Sequence, residues 1–235
     1  MRQTTHVTPR STTASGINVG LRAHLQKVYA YMAGGIGFTG LVSYMVAATP
    51  ALFNSLMAPP LGYVFLFAPL GVALFLSFGI QKLRAQTAQL LFWVYAGLMG
   101  ISLSAVFLMY TGQSISRIFL VTSLTFGSMS LYGYTTKRDL SAFGSFLFMG
   151  LIGVVLASLV NLFMKSSALQ FALSVISVLV FTGLTAYDTQ AIRNMYDERL
   201  PEETLSKMAV FGALQLYLDF VNIFLSLLRL FGDRR

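Results

Sequence analysis

The chain has 235 residues, of which 56% are apolar and only 10% charged, whereas a soluble domain carries about 25% charged residues. It contains no cysteine, which excludes disulfides, thiolate metal ligands and a cysteine nucleophile. The net charge of +8 does not indicate nucleic-acid binding, because the basic residues lie mainly in gaps between apolar runs and not on one helix face. We therefore expect an all-α, polytopic membrane protein.

Seven apolar stretches come near the roughly 20 residues that a membrane-spanning helix needs. In chain order they cover 28–48, 60–80, 88–110, 116–134, 142–164, 168–191 and 208–231. The residues ahead of them, 1–24, are rich in Ser and Thr and lack the apolar core and cleavage site of a secretory signal peptide. The sequence thus predicts a flexible basic tail over 1–24 and a seven-helix transmembrane domain over 25–235.

Helix-breaking residues mark the predicted connections. Pro50, Pro59 and Pro60 flank the first connection, and Thr111-Gly112-Gln113 marks the third. Pro69 lies inside the second span, where we expect a structural kink. Small residues four apart predict close helix packing at three places: Ala33 with Gly37, Gly100 with Ser104, and Gly153 with Ala157.

The distribution of Lys and Arg predicts the orientation of the chain, because cytoplasmic loops carry an excess of both residues. One side holds eleven of them: Arg2, Arg10, Arg22, Lys27, Lys82, Arg84, Lys137, Arg138, Arg193, Arg199 and Lys207. The opposite side has only Arg117 and Lys165 ahead of the last helix. We therefore place the amino terminus in the cytoplasm. The side of the carboxyl terminus stays open between seven full spans and a re-entrant last segment.

Asp188 and Asp219 are the only acidic residues within apolar segments. An acid at the centre of a membrane helix costs about 2.5–3.5 kcal/mol on insertion scales, so such acids are usually buried, paired and functional. Asp219 lies about 16 Å into its predicted helix, near the midplane, whereas Asp188 lies about 14 Å closer to the cytoplasmic surface. Error in the helix boundaries and helix tilt can close much of this difference, but the spacing alone does not establish that the two acids meet.

A pair of adjacent carboxyls in the bilayer has specific chemistry. Two carboxylates a few ångströms apart cannot both ionise cheaply, so the pair titrates as a unit. Sharing one proton, the pair would hold two helices together; fully ionised, it would repel itself and offer hard oxygen ligands suited to transient Ca²⁺ binding. Four neighbouring residues are candidates for a polar shell around the pair: Tyr187, Thr189, Tyr217 and Asn222.

Three segments of the sequence resemble the Bax inhibitor-1 family, the transmembrane Bax inhibitor motif proteins. Residues 185–190 (TAYDTQ) match the signature of the family's sixth helix, and residues 216–230 (LYLDFVNIFLSLLRL) match that of its last helix. Residues 131–140 (LYGYTTKRDL) are similar to the bacterial branch. The resemblance covers roughly residues 20–235.

This resemblance implies a seven-helix fold in which the last helix is central among the other six. It implies a non-enzymatic, pH-sensitive Ca²⁺ leak channel of the inner membrane, gated by an aspartate pair, here Asp188 and Asp219. It further implies a role in calcium homeostasis and stress protection and contact with membrane quality-control proteases. The family also has a basic gating partner on the second helix; residues 60–80 contain no Lys or Arg, so the candidates for this partner are Lys82, Arg84 and Arg193.

Two other functions compete with the leak channel. Paired aspartates also serve intramembrane aspartyl proteases, but Leu216-Tyr217-Leu218 stands where presenilin-type enzymes have Gly-x-Gly before the second aspartate. A non-conducting regulator would use the densely charged segment 191–207 as a docking surface. No cofactor is expected, with Ca²⁺ as the permeant ion. Both histidines, His6 and His24, precede the first apolar run, which argues against a histidine metal site in the bilayer.

Overall fold

The computed structural model describes residues 19–235, and this part of the chain folds into eight α-helices. They are α1 (Val19–Ala48), α2 (Pro50–Met57), α3 (Leu61–Gly79), α4 (Ala85–Met109), α5 (Gly112–Thr135), α6 (Ser141–Met164), α7 (Ser167–Met195) and α8 (Glu202–Phe231). All except α2 are long and apolar enough to cross a membrane. The all-α architecture with seven candidate spans is therefore confirmed.

Local sequence explains where several helices begin. Thr111 caps α5, because its hydroxyl accepts the N–H of Ser114 at 3.2 Å. Ser166 caps α7 by accepting the N–H of Leu169 at 3.3 Å. Pro50 opens α2, where a missing N–H costs nothing, and Pro69 lies buried inside α3.

The helices extend beyond the predicted apolar stretches at their polar ends. α8 begins at Glu202, six residues before the predicted start at 208, and α1 begins at Val19, within the segment predicted as tail. The remainder of that segment, 1–18, lies outside the described residues. α2 was not predicted, because its eight residues are too few to span a bilayer.

The direction of the spans defines two faces of the molecule. The amino-terminal face holds the start of α1 and the α3–α4, α5–α6 and α7–α8 connections; the carboxy-terminal face holds the α4–α5 and α6–α7 connections. The last residues lie on the carboxy-terminal face, where the N–H of Arg235 donates to the Met109 carbonyl at 3.0 Å and the N–H of Thr111 donates to the Asp233 carbonyl at 3.1 Å. α8 thus runs from one face to the other and does not turn back as a re-entrant segment would.

α8 is the most buried of the seven candidate spans. It packs against α1, α3, α4, α5 and α7, whereas α6 packs on α7. Buried aromatic residues fill the contact between α8 and α4, where the ring centroids of Tyr217 and Tyr95 lie 5.2 Å apart. The large apolar side chains of α3 and α6 point mostly outward, as lipid-facing residues do. These contacts do not place α8 at the centre of all six other spans, which stays a prediction.

Candidate ion site between α7 and α8

Asp188 of α7 and Asp219 of α8 lie side by side in the interior. Their exposed fractions are 8% and 3%, and their carboxyl groups are in hydrogen-bonding contact across the helix interface. Two carboxyls form such a bond only when one of them carries a proton. The hydroxyl of Thr185, one turn before Asp188 on α7, donates to the Phe181 carbonyl at 2.8 Å and lies beside the Asp219 carboxyl. Oδ2 of Asp219 is buried without a hydrogen-bond partner.

The overhang of α8 explains how the two acids meet although their predicted depths differ. The side chain of Ile192 packs against Gly212, where a Cβ would lie 3.0 Å from it. Ten residues of α8 precede Gly212, whereas only three residues of α7 follow Ile192. α8 therefore begins beyond the end of α7. The predicted ends of the two helices lie at different depths, so the depths of Asp188 and Asp219 counted from those ends cannot be compared directly.

The four residues predicted as a polar shell make their hydrogen bonds or packing contacts elsewhere. The Tyr217 hydroxyl bonds to Oγ1 of Thr39 at 2.7 Å, and Nδ2 of Asn222 donates to the Leu218 carbonyl of its own helix at 2.8 Å. Oγ1 of Thr189 lies 3.0 Å from Oγ of Ser130. The ring of Tyr187 occupies the space beside Gly144 of α6. The hydroxyl that does lie at the acidic pair belongs to Thr185, which was not predicted as part of the polar shell. Its position three residues before Asp188 places it on the same face of α7, and this spacing could have identified it.

None of the three predicted basic partners makes a described contact with the acidic pair. Lys82 and Arg84 are exposed in the α3–α4 connection. The Arg193 guanidinium donates to the Tyr134 carbonyl and so ties the end of α7 to the end of α5. Lys207, which was not predicted as a partner of the acidic pair, donates from Nζ to the Gln81 carbonyl at 3.2 Å and thus links α8 to the end of α3.

A cavity of about 500 Å³ opens on the amino-terminal face between α1, α3, α7 and α8. We call it the vestibule; its lining includes His24, Gln81, Ile192, Lys207, Gly212 and Gln215. Ile192 lies one turn after Asp188 on α7, and Gln215 lies one turn before Asp219 on α8. The inner end of the vestibule therefore lies one helical turn from the acidic pair on both helices.

The donor set suits a passing cation better than a resident metal. Residues 19–235 contain no group of three or more His, Cys, Asp or Glu side chains that could hold a metal ion. Ca²⁺ takes six to eight oxygen ligands, and the pair supplies only two carboxyl groups. A cation at this position would keep part of its hydration shell.

Comparison with known proteins identifies the family. The family described as "Inhibitor of apoptosis-promoting Bax1" matches residues 21–235, nearly the whole chain. The chain belongs to the Bax inhibitor-1 family. Among its relatives, an uncharacterized protein of Rickettsia prowazekii is 50% identical over 92% of both chains. The inner membrane protein YbhL of Escherichia coli is 47% identical over 97% of this chain and 98% of its own length.

An uncharacterized membrane protein of Streptococcus pyogenes is a more distant relative, 37% identical over 92% of this chain and 94% of its own. The resemblance seen in the three sequence motifs is thus confirmed. Together, the inner-membrane relative and the seven apolar helices indicate a multi-pass protein of the inner membrane.

Proposed function

We propose that this protein is a non-enzymatic, pH-sensitive Ca²⁺ leak channel gated by Asp188 and Asp219. One observation carries the proposal: two almost fully buried carboxyl groups touch across the α7–α8 interface, and one oxygen of Asp219 has no partner. Buried polar atoms are nearly always hydrogen-bonded, and acids inside a membrane protein commonly mark ion or proton pathways.

The gate works through the proton that the two carboxyls share. With one proton, the pair bonds α7 to α8; with none, two adjacent negative charges repel each other in a poorly screened interior. Gain or loss of this proton therefore changes the force between the two helices. Ionised carboxylates are also hard oxygen ligands for Ca²⁺, so the same group serves as pH sensor and ion-binding site.

The vestibule provides an aqueous approach to this gate from one side. Its lining contains a single Lys or Arg, Lys207, and no acidic residue, so it does not concentrate cations. A path of this kind fits a slow leak and not a high-flux pore. We place the amino-terminal face in the cytoplasm, which makes the vestibule the cytoplasmic opening and leaves the carboxyl terminus on the other side of the inner membrane.

Ca²⁺ flux into proteoliposomes between about pH 5 and pH 8 tests the proposal, since this range covers the titration of a buried carboxyl pair. The wild-type protein should show flux that varies with pH, and Asp188→Asn and Asp219→Asn should each lose this variation. Asp197→Asn makes the same chemical change in the exposed α7–α8 connection and should retain the wild-type profile. A pH profile that survives in both intramembrane variants would refute gating by the pair.

A non-conducting regulator is the second candidate. The α7–α8 connection and the start of α8 that overhangs α7 carry exposed charges of both signs, including Asp197, Arg199, Glu202 and Glu203. Such a surface suits a membrane quality-control protease or another membrane protein as a partner. Absence of flux at every pH, together with stable co-purification of such a protease, would favour this function over the channel.

A further inference from the structure

Two buried oxygen atoms on α8 share an unusual property. Oε1 of Gln215 and Oδ2 of Asp219 are both enclosed by protein, and neither has a hydrogen-bond partner. The residues are four apart, so they lie on the same face of the helix about 6 Å from each other along its axis. Two buried acceptors without a partner, in succession on one helix face, form an arrangement that a cation or its bound water satisfies.

The vestibule leads to these two atoms. Thr204, Met208, Phe211 and Gln215 line it at helical spacing on α8, and the next position of this stripe is Asp219. Gln215 is therefore the last vestibule residue before the acidic pair. Any ion that moves from the vestibule to the pair along α8 passes its side-chain amide.

The chemistry of the Gln215 side chain fits this position. An amide carbonyl is a neutral, hard oxygen ligand of the kind that Ca²⁺ accepts beside carboxylates and water. The charged groups in the lining are few: Lys207 lies about 12 Å from Gln215 along α8, and His24 is the other titratable residue. Along the axis of α8, Asp219 lies closer to Gln215 than Lys207 does, which favours a cation at the inner end.

We propose that Gln215 forms a second cation site, in which its Oε1 binds a partly hydrated divalent cation between the vestibule and the acidic pair. This inference rests on the proposed leak function and adds to it a ligand that determines how Ca²⁺ reaches the gate. Because the amide does not titrate, this site controls the concentration dependence of flux and leaves its pH dependence to Asp188 and Asp219.

Initial Ca²⁺ flux measured against Ca²⁺ concentration at fixed pH tests the site, together with equilibrium binding of ⁴⁵Ca²⁺ to the full chain in nanodiscs. Gln215→Leu removes the oxygen at similar size and should raise the half-saturating Ca²⁺ concentration about tenfold, the equivalent of roughly 1.4 kcal/mol. Asn222→Leu is the matched control, since its amide donates to its own helix and should leave the half-saturating concentration unchanged. The pH profile of flux should be the same in wild type and Gln215→Leu.

Gln215→Glu keeps the test valid if the leucine variant fails to fold. It should lower the half-saturating concentration, and Thr204→Glu, which adds the same charge at the outer part of the vestibule, should lower it less. Equal effects of the two glutamates, or wild-type flux and binding in Gln215→Leu, would overturn the site while leaving the leak intact. If the wild type binds ⁴⁵Ca²⁺ through Gln215 but shows no flux, the leak fails and the site stands. A wild type that neither binds nor conducts Ca²⁺ refutes both.

Discussion

Replacement of Gly133 by alanine should force α5 away from α7 beside the acidic pair. A Cβ at Gly133 would meet the backbone of Ala186, lying 2.9 Å from its carbonyl carbon and from its Cα and closer still to its oxygen. Because backbone atoms cannot rotate aside, the two helices must separate. Ala186 is two residues from Asp188, so the displacement reaches the pair.

The magnitude follows from two opposing terms. Overpacking a tightly packed site costs about 1–3 kcal/mol, while alanine favours a helix over glycine by up to about 1 kcal/mol. Gly127 on the same helix separates these terms, because a Cβ there meets nothing within 4 Å. Gly127→Ala therefore reports the helix preference alone, and the difference between the two variants reports the clash.

Thermal unfolding of the two variants and the wild type in one detergent provides the measurement. A clash of about 2 kcal/mol corresponds to a Tm difference of about 4–8 °C for a chain of this size, with Gly133→Ala below Gly127→Ala. The pH profile of Ca²⁺ flux should also change in Gly133→Ala and not in Gly127→Ala. Equal melting temperatures would show that α5 and α7 are not packed as described, and the reasoning would fail.

Three further predictions concern the orientation of the chain in the membrane, the positive charge in the vestibule and a buried hydrogen bond of α8. Arg235→Cys introduces the only thiol of the chain and should react with a membrane-impermeant maleimide from the non-cytoplasmic side, whereas Asp197→Cys should react only after permeabilisation; the reverse pattern would contradict the proposed orientation. Lys207→Gln should raise Ca²⁺ flux about threefold, since an ammonium about 12 Å from a divalent cation repels it by roughly 0.7 kcal/mol in water-like screening; an equal rise in the exposed Lys82→Gln control would exclude a local effect. Tyr217→Phe should cost about 0.5–1.5 kcal/mol of stability through loss of the bond to Thr39 and leave the pH profile of flux unchanged; an altered profile would show that this hydroxyl acts on the pair.

The sequence was sufficient to predict the seven spans, because an uninterrupted apolar run of sufficient length has few other structures available to it. It did not predict the overhang of α8, since residues 202–207 carry three charges and do not extend an apolar pattern. It identified Asp188 and Asp219 through the cost of placing acids in lipid. The polar shell was predicted mainly from residues near the two acids along the chain. Adjacent residues of a helix point in different directions, so Thr189, next to Asp188, contacts Ser130 of α5 and not the acidic pair.

The small-residue spacing identified only part of the helix packing. Gly100 does lie against α1, where a Cβ would approach Val42 to 2.7 Å. Gly37 and Gly153 have open space beside them, and the close approach of α5 to α7 occurs instead at Gly133, which no pair predicted. A spacing pattern shows that one helix has a smooth face, but the partner that uses this face depends on the arrangement of all the helices.

The many contacts of α8 have a consequence for biosynthesis. The helix that packs against α1, α3, α4, α5 and α7 leaves the ribosome after all five of them. Until it is inserted, the polar side chains that it covers, Asp188 and Thr39 among them, must be shielded by lipid headgroups, water or an insertion factor. A chain truncated before Glu202 would therefore be six spans without their shared packing partner, and we expect quality control to remove it during synthesis.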